Sequence, residues 1–192
     1  MISQLATVAN QLTLLRLIFI PFVIINVVDG NYGWALALFV AAGISDGLDG
    51  LLARKLQQQT TLGQYLDPIA DKMLLSSTFL VLSFMAMIPW KFTVLVFSRD
   101  ISILAISAVL YATTGLRDFS PSIFGKLNTG FQVLTVFFVL LKQLTQNSLI
   151  HYGRLICLWL TFAFTLLSGI HYIFLVGRRL KRLSAARTAG AA

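Results

Sequence analysis

Six apolar runs, each close to the length of a bilayer crossing and separated only by short polar breaks, constrain this chain more than any other feature. They fall at about 12–28, 34–52, 66–88, 92–113, 127–144 and 155–176. A hydrocarbon core of about 30 Å takes roughly 20 helical residues. In lipid, each backbone polar group must be satisfied inside its own segment, so runs of this kind are expected as helices. The breaks carry turn or polar residues: Asp29-Gly30-Asn31, Gln57-Gln58-Gln59, Pro89, Ser120-Pro121-Ser122 and Gln146-Asn147-Ser148. The expected fold is an all-α integral membrane protein with six transmembrane helices. No repeat, low-complexity segment or second domain interrupts it, which gives one membrane domain over 1–192 with a basic cytoplasmic tail at 177–192.

Composition agrees. Only 11% of the 192 residues are charged, against about 25% in soluble domains, and fifteen Phe exclude a disordered chain. The first ten residues lack a basic segment and a small-residue cleavage site, so they do not read as a cleaved signal. Ile2, Leu5, Ala6, Ala9 and Leu12 repeat at helical spacing, which predicts a short N-terminal amphipathic helix lying in the interface. With the N-terminus inside, eleven basic residues fall on the cytoplasmic side: Arg16, Arg54, Lys55, Lys72, Arg117, Lys126, Arg178, Arg179, Lys181, Arg182 and Arg187. Three, Lys91, Lys142 and Arg154, fall opposite. That bias places both termini in the cytoplasm. The net charge is +8, and the tail Arg178-Arg179-Leu180-Lys181-Arg182 is expected to anchor the last helix to anionic lipid, with no nucleic-acid partner. Trp34, Trp90, Tyr32 and Tyr152 fit interface anchors. The lone Cys157 lies in an apolar run and reads as small hydrophobic filler.

All seven acidic residues are Asp, and four of them fall between Asp46 and Asp71. An ionised Asp within hydrocarbon costs at least about 2.5–3.5 kcal/mol, so four in two neighbouring spans need partners. Asp46 and Asp49 share one helix face, and Asp67 and Asp71 share another. Counted at about 1.5 Å per residue, both pairs lie in the cytoplasmic half of the bilayer. Facing carboxylate pairs repel unless cations sit between them. An all-oxygen donor set suits Mg²⁺ or Mn²⁺, and two such ions could bridge a pyrophosphate. Gly50 permits close approach to the backbone, Ala53 continues the small face, and the Arg54 fork suits a phosphate. Gly63 lies one turn before Asp67. His151 and His171 are expected near the end opposite the motif and unrelated to it.

Asp46-x2-Asp49-Gly50-x2-Ala53-Arg54-x8-Gly63-x3-Asp67-x3-Asp71 resembles the signature of the CDP-alcohol phosphotransferase family at every position. The likeness extends to Asn10-x2-Thr13-x2-Arg16 and to Gly125-Lys126-x2-Thr129-x2-Gln132. The resemblance implies a homodimeric six-helix enzyme, multi-pass in a bacterial-type inner (cell) membrane, with its site open to the cytoplasm. Such an enzyme transfers the phosphatidyl group of CDP-diacylglycerol to an alcohol and releases CMP. It further implies that Asp46, Asp49, Asp67 and Asp71 surround two divalent metals, Mg²⁺ or Mn²⁺, and that Asp71 is the catalytic base. Asp46, Gly50, Ala53, Arg54 and Gly63 would hold the CDP portion. Of the pair on the third run, Asp71 is the deeper, which suits it to base work.

The acceptor depends on other residues. Arg99 lies inside the fourth run, and because adjacent residues do not face each other on a helix, Asp100 is not expected as its partner. Arg99 then needs another anion: a motif Asp or a phosphate on the acceptor. Lys126, entering the fifth run, supplies a second cation, and the pair suits glycerol 3-phosphate. The bland alternative makes Arg99 a structural counter-ion and Lys126 a snorkelling surface charge. Ser98-Arg99-Asp100 and the segment from Pro121 to Gln132 resemble both the phosphatidylglycerophosphate synthase branch and the cardiolipin synthase branch of the superfamily. The former more often has Arg-Glu at 99–100. In the second case the acceptor would be phosphatidylglycerol. A rival of another class is an ion-coupled transporter, since intramembrane Asp also mark ion pathways.

Overall fold

A computed structural model describes residues 8–56, 61–114 and 123–189. They form six helices: α1 Val8–Val28, α2 Tyr32–Leu56, α3 Thr61–Phe84, α4 Trp90–Thr114, α5 Ile123–Leu144 and α6 Ser148–Ala189. Each apolar run becomes the body of one helix. The helices overrun the apolar stretches, since a nucleated helix gains one hydrogen bond for each residue added. At α6 the overrun takes the basic segment with it as far as Ala189. Of the expected interfacial helix, residues 2–7 lie outside the described residues, and from Val8 onward the backbone is one helix with the first run.

The hairpin turns have local causes. At the end of α1, Asn31 N–H reaches Asn26 O at 2.8 Å and Gly30 N–H reaches Val27 O at 3.2 Å. Gly30 takes φ +76° to do so, a left-handed cap that glycine adopts without steric cost. The end of α3 has the same bonding: Met87 N–H to Leu82 O at 2.9 Å and Ala86 N–H to Ser83 O at 3.0 Å. There the left-handed residue is Ala86, at φ 57°. Asn147 caps α6, its Oδ1 accepting from Leu149 N–H at 2.9 Å.

Helix α1 packs along both α2 and α3, and α5 packs along α6 while also reaching α2 and α3. Their shared core is built from lines of residues three and four apart. Ile20, Val23 and Val27 line α1, Ala35, Phe39 and Ala42 line α2, and Thr78, Phe79 and Leu82 line α3, with Val136, Val139 and Leu140 on α5. The outward faces carry exposed apolar side chains such as Phe22, Ile101, Leu104, Trp159, Ile173 and Phe174, the reverse of a water-facing surface. Among the described residues, Ile123–Leu144 and Ser148–Leu175 are long and apolar enough to cross a membrane.

Helices α4 and α6 run parallel in a clear register. Phe92 stacks edge-on with Trp159 and with Phe162, both at 5.7 Å, and Arg99 bonds Ser168. Trp90 is therefore level with about residue 159, some 16 Å down α6 from Ser148 at 1.5 Å per residue. On α2, a Cβ at Gly33 would meet Leu144 at 3.8 Å, so Tyr32 and Trp34 are level with the α5–α6 turn, close to Tyr152. Trp90 lies about 10 Å below Tyr152, so the four expected anchors occupy two levels.

Candidate active site

The core changes character along its length. On α1 the buried line Val27–Val23–Ile20 ends at Arg16, a guanidinium with no exposure at all. On α2 the line 35–39–42 runs on, by the same helical spacing, through positions 46, 49 and 53. On α3 the line 82–78–75 arrives at Asp71, which is half-buried. On α5 the line 139–136–132 continues through buried Gln132, Asn128 and Gly125. Helices α1, α3 and α5 thus contribute apolar residues to one end of a shared interior and polar ones to the other. The signature lies at the polar end: Asp46, Asp49, Gly50, Ala53 and Arg54 on α2, Gly63, Asp67 and Asp71 on α3.

The side chains of residues 46–56 and 61–68 lie outside the described ones, so the distances among Asp46, Asp49 and Asp67 do too. Among the described residues no cluster of three His, Cys or carboxylate side chains occurs. The chemistry of the donor set is still decided by residue identity. The four carboxylates of the motif on α2 and α3 offer oxygen donors alone, the kind that suits Mg²⁺ or Mn²⁺ over a thiophilic metal, and the thiol of Cys157 on α6 is buried.

The structure corrects the reading of Arg99. Its Nη1 donates to Asp100 Oδ1 at 2.6 Å, so its anion is the adjacent residue after all. The spacing rule describes where Cβ atoms point; the long arginine stem swings back along the helix and brings the guanidinium to its neighbour. Nη2 donates to Ser168 Oγ on α6 at 2.5 Å. The other carboxylate oxygen of Asp100 meets Lys72 Nζ of α3 at 3.0 Å. Arg99 and Asp100 side chains are 10% and 12% exposed, so this is a buried clamp joining α3, α4 and α6, anchored one residue beyond Asp71. Lys126 stands apart from it: it is exposed near the start of α5, about 200° round the helix from Asn128.

His171 needs a second correction. Its ring lies 5.2 Å from that of Phe124 at the start of α5, at the motif end of the bundle. His151 remains at the far end, near the start of α6. Helix α6 is 42 residues long, so two residues twenty apart reach opposite ends.

Sequence reading also passed over a polar stripe in the core. Thr135 Oγ1 meets Thr161 Oγ1 at 2.9 Å. Thr165 Oγ1 lies 2.8 Å from Asn128 Oδ1 and 2.6 Å from Thr161 O. Ser168, which holds Arg99, continues the line. The available signal was the helical spacing of small polar residues at 161, 165 and 168 within an otherwise apolar run.

Comparison with known proteins places these residues in context. The family model described as CDP-alcohol phosphatidyltransferase matches residues 6–167. The chain is 31% identical over 180 residues to a probable phosphatidylglycerophosphate synthase of Mycobacterium tuberculosis (strain CDC 1551 / Oshkosh), covering 89% of this chain and 82% of that protein. It is 29% identical over 178 residues to the CDP-diacylglycerol–glycerol-3-phosphate 3-phosphatidyltransferase of Bacillus subtilis (strain 168), covering 85% and 91%. With the cardiolipin synthase (CMP-forming) of Homo sapiens it shares 29% identity over 192 residues, covering 90% of this chain and 62% of the human protein.

Proposed function

The chain belongs to the CDP-alcohol phosphatidyltransferase family, and from that premise we propose that it makes phosphatidylglycerophosphate and CMP from CDP-diacylglycerol and glycerol 3-phosphate. The observation that carries this reading is the full eight-residue signature, whose positions fall on α2 and α3. Coverage favours glycerol 3-phosphate as acceptor, since the two relatives named for phosphatidylglycerophosphate chemistry align over most of their own length. Cardiolipin synthesis, with phosphatidylglycerol as acceptor, is the second reading, supported by the human relative. Membership of a transferase family removes the case for an ion-coupled transporter.

Asp46, Asp49, Asp67 and Asp71 would hold two divalent ions, Mg²⁺ or Mn²⁺, whose chemistry is to neutralise the diphosphate oxygens. Gly50, Ala53 and Gly63 leave room for the CDP portion, and Arg54 pairs with a phosphate. Asp71 accepts the proton of the acceptor hydroxyl as its oxygen attacks the β-phosphorus. The new O–P bond replaces the bond from that phosphorus to the bridging oxygen, and the electron pair departs with CMP. Arg99, already held by Asp100 and Ser168, supplies positive charge for the acceptor phosphate. All six helices cross the bilayer, with both termini and the site on the cytoplasmic side of a bacterial-type inner membrane, and the enzyme works as a homodimer.

The test is CMP release from CDP-diacylglycerol by purified protein with Mg²⁺ or Mn²⁺, with glycerol 3-phosphate and phosphatidylglycerol as alternative acceptors and product identified in each case. A phosphatidylglycerophosphate product is the expected result. Release only with phosphatidylglycerol would transfer the assignment to cardiolipin synthesis, and release with neither would sink it.

A further inference from the structure

Gln132 is 3% exposed and Asn128 is completely buried, yet among the described residues the amide nitrogens of both lack a hydrogen-bond partner. Buried polar groups are nearly always paired, because leaving one unpaired in a low-dielectric interior is costly. Neighbours on the same stripe obey that rule: Thr135 is paired with Thr161, and one end of Asn128 with Thr165. The Thr165 hydroxyl has one proton and two acceptors within reach, so whichever way the Asn128 amide is turned, one of its ends stays unpaired. At Gln132 neither end of the amide bonds any described residue.

The place of these amides in the fold is specific. They lie on the buried line of α5, which packs on α6, α2 and α3. Helices α2 and α5 run antiparallel from the Gly33–Leu144 contact. Gln132 is twelve residues along from Leu144, and Ser45 is twelve along from Gly33, so both are about 18 Å from that contact. Asn128 and Asp49 are likewise level, about 24 Å away. These two amides therefore occupy the interior level with positions 45 and 49 of α2.

A carboxamide is neutral and offers one donor edge and one acceptor edge. That pattern suits a hydroxyl group, which both donates and accepts. Phosphate oxygens, acceptors only, would use the N–H edge alone, and cationic side chains serve them better. We propose that Gln132, supported by Asn128 one turn below it, binds the free hydroxyl of a glyceryl acceptor, and so selects a polyol while Asp71 engages the hydroxyl that reacts. The proposal rests on the phosphatidyl-transfer reading above and adds to it the part of the acceptor that this wall recognises. Glycerol 3-phosphate and the headgroup of phosphatidylglycerol both carry such a hydroxyl.

The experiment compares kcat/KM for glycerol 3-phosphate and 3-hydroxypropyl phosphate, which keeps a primary hydroxyl and the phosphate but lacks the middle hydroxyl. Wild-type protein and Gln132→Met are assayed side by side, and thermal midpoints are recorded without substrate. The wild type is expected to prefer glycerol 3-phosphate by about ten-fold or more. Gln132→Met should bring the preference to within about two-fold, through loss on glycerol 3-phosphate, while its midpoint stays the same or rises because an unpaired amide has gone. Gln132→Glu, equal in length but without the N–H donor, serves the same comparison if the Met variant does not fold. A preference unchanged in the variant overturns the proposal. So does an unchanged preference with a raised Mg²⁺ requirement, which would seat the amide on the carboxylates. A wild type active only with phosphatidylglycerol is put through the same comparison with an analogue lacking one headgroup hydroxyl. A wild type that releases CMP with neither acceptor refutes the proposed phosphatidyl transfer to a glyceryl acceptor, a result distinct from either outcome for Gln132.

Discussion

Replacing Asp100 by Asn tests whether the clamp between α3, α4 and α6 carries structural weight. The carboxylate holds Arg99 at 2.6 Å and Lys72 at 3.0 Å. Without it, the Arg99 guanidinium, 10% exposed, keeps its charge in the interior with only Ser168 as a named partner. Removing one partner of a buried ion pair costs about 3–5 kcal/mol. Lys72 adds little, because its side chain is 39% exposed and can turn to solvent, where such pairs contribute about 0–1 kcal/mol. The Asn side chain keeps one acceptor for Arg99, which puts the expected loss at the lower end, about 3 kcal/mol. For a chain of this size that corresponds to a fall of roughly 6–12 °C in midpoint, read by thermal melting in detergent at a fixed scan rate. The double variant Arg99→Met with Asp100→Asn removes the stranded charge and should recover at least half of the loss. An Asp100→Asn midpoint within about 3 °C of wild type, or a double variant no better than the single one, would refute the reasoning.

Other expectations follow from particular residues. Ala86 takes the left-handed cap at φ 57° and is exposed, so Ala86→Gly should stabilise by roughly 0.5–1 kcal/mol after the entropy lost to glycine. Gly30→Ala should destabilise by about 1 kcal/mol; a Cβ there meets nothing within 4 Å, so the effect is conformational alone, and equal signs for the two cap variants in the same melting assay would contradict it. At Gly153 a Cβ would lie 2.9 Å from Phe138 Cε1, so Gly153→Ala should displace the Phe138 ring at the α5–α6 contact at a cost of about 1–3 kcal/mol, again visible as a lowered midpoint. Asp71→Asn should reduce CMP release at least about 100-fold while the protein still melts cooperatively; a folded, metal-binding variant with near-normal turnover would remove Asp71 from the role of base.

Helix number and placement were legible in the linear sequence, because both depend on one-dimensional quantities: the length of each apolar run and the polar residues that end it. The cap at Gly30 was visible for the same reason, as a turn signal between two runs. The pairing of Asp46 with Asp49 and of Asp67 with Asp71 on helix faces needed only the period of 3.6 residues, and the family signature was complete in the linear order of residues. What the sequence left open were offsets between helices and the reach of long side chains. Run lengths do not say where α4 starts relative to α6: it begins level with about residue 159, which puts Trp90 below Tyr152 and brings Phe92 against Trp159. The bond from Arg99 to Asp100 escaped a rule about Cβ directions because a flexible stem does not obey it. His171 came to the motif end only because α6 crosses the whole bundle. Gln132 and Asn128 show the difference most plainly. Spacing could place both on one face of α5, but whether an amide on that face finds a partner depends on which side chains the neighbouring helices present at the same level, and packing alone decides that.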